Sequence, residues 1–171
     1  SIFLLTSMLS LAMSLYLNTN INRSLEQINT IYTSNNNLNT MTETLNSLHD
    51  NILEYLEIKS TDSLNNYYYY EQQYRNLLSE LNHQITDSTA GSMEKNIYYI
   101  SQSYLDIADE AIEAKRARNT GKYRTAYNEA TDYYNYLTSY IYSLNNQQFL
   151  ANSRNYQSLE VSLRLIEQMN T

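Results

Sequence analysis

Apolar residues recur along this chain at alternating steps of three and four, the spacing of one helix face packed at a small angle against another helix. The first such stretch runs from the N-terminus to about Ile58. Its spine is expected at Ile21, Leu25, Ile28 and Tyr32, then at Leu38, Met41, Leu45, Leu48, Ile52 and Tyr55. The polar run Ser34-Asn35-Asn36-Asn37 interrupts it. Lys59-Ser60-Thr61-Asp62-Ser63 reads as a turn, with Ser60 or Thr61 as the N-cap of the next helix and Asp62 suited to its dipole. A second stretch, about Ser63 to Ile85, carries Leu64, Tyr67, Tyr70, Tyr74, Leu77, Leu81 and Ile85. Residues 87–92 read as a loop. A third stretch, Met93 to Arg118, has its seam at Ile97, Ile100, Tyr104, Ile107 and Ala111. Asn119-Thr120-Gly121 is the expected tight break before a fourth stretch that starts at Lys122. That stretch runs through Ala126, Ala130, Tyr133, Leu137, Ile141 and Leu144 to Leu159, Leu163, Ile166 and Met169.

The lengths of these stretches predict a layout. The outer two are roughly twice as long as the inner two, and short connections make neighbours antiparallel. Counting from the turns at Lys59–Asp62 and Asn119–Lys122, the 87–92 loop falls level with Asn35 and Asn146, where both long helices turn polar. The expectation is an all-α chain: an elongated antiparallel four-helix bundle over about 35–146, on a two-helix membrane-proximal stalk of about 18–34 and 147–171. Small residues on the third and fourth stretches (Ala108, Ala111, Ala114 and Ala117 against Ala126 and Ala130) would bring those helices close.

The chain opens on SIFLLTSMLSLAMSLYLN, with no charge before Arg23. Residues 1–17 read as the outer part of a transmembrane helix, although four serines interrupt the run and it falls short of the ~20 apolar residues that span a bilayer. A buried stalk helix is the alternative. The count then places both ends of the chain on one side, so that it would leave and re-enter a membrane, with residues 18–171 extracytoplasmic.

Composition sharpens this reading. There is no proline and there are two glycines, so nothing forbids very long helices. The net charge of −7 argues against a nucleic-acid partner or an anionic membrane surface. With no cysteine, disulfides and thiolate metal sites are excluded. The only histidines, His49 and His83, lack further ligands at metal-binding spacing, so both read as solvated helix-surface residues and no metal or cofactor is expected. Asp106, Asp109, Glu110 and Glu113 read as a solvated acidic face. No nucleophile elbow, phosphate-binding loop or catalytic triad is present, so no enzymatic activity is expected of this chain.

The basic residues are concentrated. Lys59, Lys115, Arg116, Arg118, Lys122 and Arg124 all fall at the expected turn end, six of eleven. Helix-end electrostatics accounts for those closing a helix but not for Lys122 and Arg124, which start one. The tetrad Tyr67-Tyr68-Tyr69-Tyr70 covers every helix face, so one or two rings must point outward. Tyr68, Tyr69, Arg116, Arg118, Lys122 and Arg124 are therefore the candidate partner- or ligand-binding residues.

The stretch ILEYLEIKSTDSLNNYYYYEQQYRNLLSEL, with Tyr55, Leu56, Lys59, Ser60, Ser63 and Leu64 at its turn, resembles the extracytoplasmic part of YesM-like membrane sensor histidine kinases of Gram-positive bacteria. Ala114–Leu137 is similar to the turn between the third and fourth helices of these sensors, and to four-helix-bundle input domains of chemoreceptors. The resemblance covers most of residues 20 to 165 and implies a signal-input domain at the cell membrane, facing outward; a parallel homodimer is expected because two stalk helices alone bury little surface. It further implies a second transmembrane helix and a kinase core beyond this chain. The input would be a small-molecule ligand or a ligand-loaded solute-binding protein. A structural coiled-coil spacer of a surface or secretion protein is the alternative.

Overall fold

The computed structural model describes residues 2–86 and 91–171. These residues form four helices and no strand: α1 (Ile2–Ile58), α2 (Thr61–Thr86), α3 (Ser92–Arg116) and α4 (Thr120–Met169). The all-α class is therefore as the apolar spacing predicts. Of the expected 87–92 loop, residues 87–90 and the height assigned to the loop lie outside the described residues, while Ser92 is already the first residue of α3.

The helix ends have local causes. At the end of α1, Lys59 takes a left-handed conformation with φ 51°, and its N–H donates to the Tyr55 carbonyl. Ser60 then caps α2, its Oγ accepting from the Ser63 N–H at 3.3 Å. α3 closes in a Schellman-type end: Arg118 is left-handed at φ 59°, and the Asn119 N–H reaches back to the Ala114 carbonyl at 2.9 Å. Asn119 caps α4 by accepting from the Lys122 N–H at 3.2 Å. The break thus lies at 117–119 rather than at 119–121. The glycine signal misplaced it, because Gly121 lies inside α4 while Arg118 takes the left-handed position.

Packing divides the chain into two compact units, Asn37–Asn145 and Ser1–Asn36 with Asn146–Thr171. In the first, a single buried cluster draws on all four helices. α1 gives Leu38, Met41, Leu45, Leu48, Ile52 and Tyr55, and α2 gives Tyr67, Tyr74 and Leu81. Ile97, Tyr104 and Ala111 come from α3, and Ala130, Leu137 and Ile141 from α4. Each large apolar side chain so buried stabilises the fold by about 1.5–3 kcal/mol. Ala108, Ala111, Ala114, Ala126 and Ala130 are buried, whereas Ala117 is exposed.

In the second unit α1 and α4 are joined by polar bonds. Asn20 Nδ2 donates to Ser162 Oγ at 2.7 Å, and Gln148 Nε2 donates to Ser34 Oγ at 2.8 Å. Ser24 and Ser162 are buried there, while Leu25, Tyr32, Leu163 and Met169 are exposed. The expected spine through Leu25 and Tyr32 is therefore corrected: the inward face runs through Ile21, Ser24, Ile28 and Ile31. Toward the N-terminus of α1, Ile2, Phe3, Leu4, Leu5, Met8 and Leu9 are exposed, and by length and composition this helix is apolar enough to cross a membrane.

Candidate functional site

The candidate residues sit around the two turns of the Asn37–Asn145 unit, and most of their charges are spoken for. Arg116 pairs with Glu113 at 3.1 Å. Its guanidinium is held above its ordinary pKa by Glu113 and then by the Tyr68 ring oxygen. The structure thus brings Arg116 and Tyr68 together. Lys122 reaches from α4 to Glu110 of α3 at 3.5 Å. Lys115 lies 4.7 Å from the Tyr123 ring centroid, a cation–π contact. Arg118 is exposed at its left-handed position. Within the tyrosine tetrad, Tyr67 is buried, Tyr70 half-buried, and Tyr68 and Tyr69 are exposed, as the ~100° step per residue requires.

Among the described residues Arg124, like Arg118, has no acidic partner, but it differs in its setting. It lines a groove of about 450 Å³ between α1 and α4, with Leu53, Leu56, Glu57, Tyr123, Tyr127 and Asn128. Neither Glu57 nor the tyrosine walls were among the sequence candidates. Tyr123 and Tyr127 are neighbours of Arg124 on α4 by helical spacing, whereas only the pairing of α1 with α4 brings Glu57 beside it.

Behind this groove stands His49, which is buried rather than solvated. Its ring stacks on Tyr134 (centroids 4.2 Å apart, planes 5° off parallel) and on Tyr127 (5.5 Å, 16°). Tyr104 Oη lies 2.8 Å from Nδ1, and Thr131 Oγ1 lies 3.3 Å from Nε2. The Thr131 hydroxyl already donates to the Tyr127 carbonyl at 2.9 Å. It must therefore accept from His49, which assigns the ring proton to Nε2 and makes Tyr104 the donor to Nδ1. Desolvation lowers the His49 pKa to about 4, against a smaller opposing effect of Asp50. The ring is neutral at pH 7.

A second polar group ties α2 to α3. Tyr67 Oη donates to Asp109, and Arg75 bridges Glu71 at 2.8 Å and Asp109 at 3.3 Å. The acidic strip is accordingly not wholly a solvated face, because Asp109 is the acceptor for a buried tyrosine. Burial and the Asp109 contact push the Tyr67 hydroxyl far above its ordinary pKa, and burial raises Glu71. Tyr74 shares a 2.7 Å hydrogen bond with Ser101. These groups are saturated by one another, the arrangement of core polar networks rather than of a nucleophile and its base. Among the described residues no three His, Asp or Glu side chains converge as a metal-ligand set. No protein-family model matches the chain, and neither a curated protein nor a solved structure matches it.

Proposed function

We propose that this chain is the extracellular signal-input domain of a membrane-anchored two-component sensor histidine kinase. In this reading residues 37–145 work as an antiparallel four-helix bundle that receives the signal. Residues 18–36 and 146–171 are its two-helix stalk, and the apolar start of α1 enters the membrane. The chain acts as a homodimer and carries no catalytic step of its own. Its partners are a small solute or a solute-loaded binding protein, and the basic and tyrosine residues of the turn end, Tyr68, Tyr69, Arg116, Arg118, Lys122 and Arg124, receive them.

The observation that supports the reading is continuity. α1 and α4 each contribute side chains to the buried cluster of the Asn37–Asn145 unit and run on unbroken through the other unit. With no proline in either helix nothing in the sequence interrupts them, and in this reading a shift of α4 against α1 is carried along the element. The unpaired Arg124 and the neutral, stacked His49 lie on the two helices that would move.

The test is a chimera in which the chain drives a histidine-kinase core with a reporter of its output. Inserting one alanine after Asn146 rotates the rest of α4 by about 100°. The expected result is a severalfold change in basal output with an unchanged melting temperature for the 37–145 unit. Unchanged output from a folded insertion variant favours the coiled-coil spacer instead.

A further inference from the structure

The groove at Arg124 holds side chains of both signs that neutralise nothing. Glu57 of α1 and Arg124 of α4 line the same ~450 Å³ space, yet neither pairs with the other or with any described residue. Three other cations of this unit do have an acidic partner: Arg75 with Glu71, Arg116 with Glu113, and Lys122 with Glu110. Between the two charges the walls are apolar and aromatic, supplied by Leu53, Leu56, Tyr123 and Tyr127. The far helix α3 adds Lys115 over the Tyr123 ring, which biases that side of the groove further toward an anion.

We infer that this groove binds a zwitterion of amino-acid to dipeptide size with an apolar or aromatic body. The Arg124 guanidinium receives the carboxylate through its planar fork of donors. Glu57 accepts from the ammonium. The body packs on the tyrosine rings and Leu53, as side chains do in small-molecule sites, which are concave and largely apolar with a few placed polar groups. Charge alone does not select this place. Another groove, about 610 Å³ in the Ser1–Asn36 and Asn146–Thr171 unit, also carries Glu26 and Arg154, but no aromatic ring lines it. The Tyr127 groove has a second distinction. The same ring stacks on His49, which holds Tyr104 of α3 and Thr131 of α4. A ligand seated against Tyr127 therefore presses on the buried contact that joins three helices.

The inference deepens the signal-input reading and rests on it for its purpose, but binding is measured apart from signalling. The 171-residue chain in detergent micelles is titrated calorimetrically with L-phenylalanine, L-leucine and L-phenylalanyl-L-leucine. N-acetyl-L-phenylalanine and L-phenylalaninamide are the blocked controls. Saturable heat is expected from at least one free zwitterion. Its blocked form, Arg124→Gln and Glu57→Gln are each expected to weaken it at least tenfold. Both substitutions are on exposed side chains, and circular dichroism confirms that the variants remain helical. No binding by any free zwitterion overturns the inference, as does equal binding by the blocked forms or by folded Gln variants. A chimera that responds to alanine insertion while the chain binds none of the probes removes the ligand and keeps the signal-input reading. Binding with the expected variant pattern in a chimera indifferent to insertion keeps the ligand and removes that reading.

Discussion

His49 keeps both of its hydrogen bonds only as a neutral ring, because Nδ1 must accept from Tyr104 while Nε2 donates to Thr131. Its folded pKa of about 4 lies below the ordinary 6.5, so the unfolded chain takes up the proton first as the pH falls. The stability this site contributes is present above pH 6.5 and is lost progressively between 6.5 and 4. A shift of this size corresponds to about 3 kcal/mol at most. Facing the ring are Asp50 of its own helix, Tyr104 of α3, and Tyr127 and Tyr134 of α4. Urea unfolding at pH 7 and pH 4.5 should show His49→Gln losing about 2–3 kcal/mol less than the parent over that interval. Equal losses would assign the acid sensitivity to carboxylates. Arg118 offers a second residue-scale test. Its φ of 59° costs a side-chain-bearing residue about 1 kcal/mol that glycine avoids. Arg118→Gly should therefore raise stability by up to about 1 kcal/mol, and an unchanged or lowered unfolding midpoint would count against the left-handed assignment.

At the scale of elements, α3 is fitted by its small residues. Ala108 and Ala111 are fully buried in the cluster, one and two residues from buried or network-forming Asp109 and Ile112. Ala111→Leu should overpack the core and cost about 1–3 kcal/mol. Ala117→Leu, on an exposed position just past the helix, should stay within about 0.5 kcal/mol. A thermal melt of the pair reports the difference, and equal effects would deny that the alanine face is a contact face. The helices themselves were legible in the sequence because apolar period and the absence of proline speak for long helices with little competition. The inner phase of residues 21–32 was not. Apolar Leu25 and Tyr32 continue the period as well as Ser24 and Ile31 do, and only the polar bonding of Asn20 and Ser34 across to α4 decides between them. The site was half legible: charge clustering pointed to Arg124. Its groove partner Tyr127 is three residues away on the same helix and within reach of local pattern, whereas Glu57 lies on α1, about seventy residues away in sequence, beyond any such pattern. His49 read as solvated for the same reason, since its partners come from α3 and α4.

For the whole molecule, the unit of Ser1–Asn36 with Asn146–Thr171 raises the question of what covers it. The bonds of Asn20 to Ser162 and of Ser34 to Gln148 keep one register, which sets Leu25 level with Tyr156 and Tyr32 level with Phe149. These four are 49 %, 56 %, 69 % and 66 % exposed, respectively. Helical spacing puts them all on the flank away from the Gln27 and Arg154 groove. Phe149, Tyr156 and Leu163 follow one another at steps of seven, the repeat of a helix seam. Lipid is a poor cover, because Asn22, Asn29 and Asn152 share the flank and the Asn152 Oδ1 is buried without a hydrogen-bond partner. In the proposed homodimer a second copy of the chain would meet the same patch with itself, the self-complementary contact of a twofold dimer, and would turn two helices into four around a common core. The chain has no cysteine, so single substitutions report contacts without background. Leu25→Cys and Tyr156→Cys should form disulfide-linked dimers under mild oxidant, whereas Thr30→Cys, on the groove flank, should form few. Phe149→Lys with Tyr156→Lys should shift the detergent-solubilised chain from dimer to monomer in light scattering while its helical signal is kept. Cross-linking that is equal from both flanks, or a dimer that survives the double lysine variant, would place the second copy elsewhere.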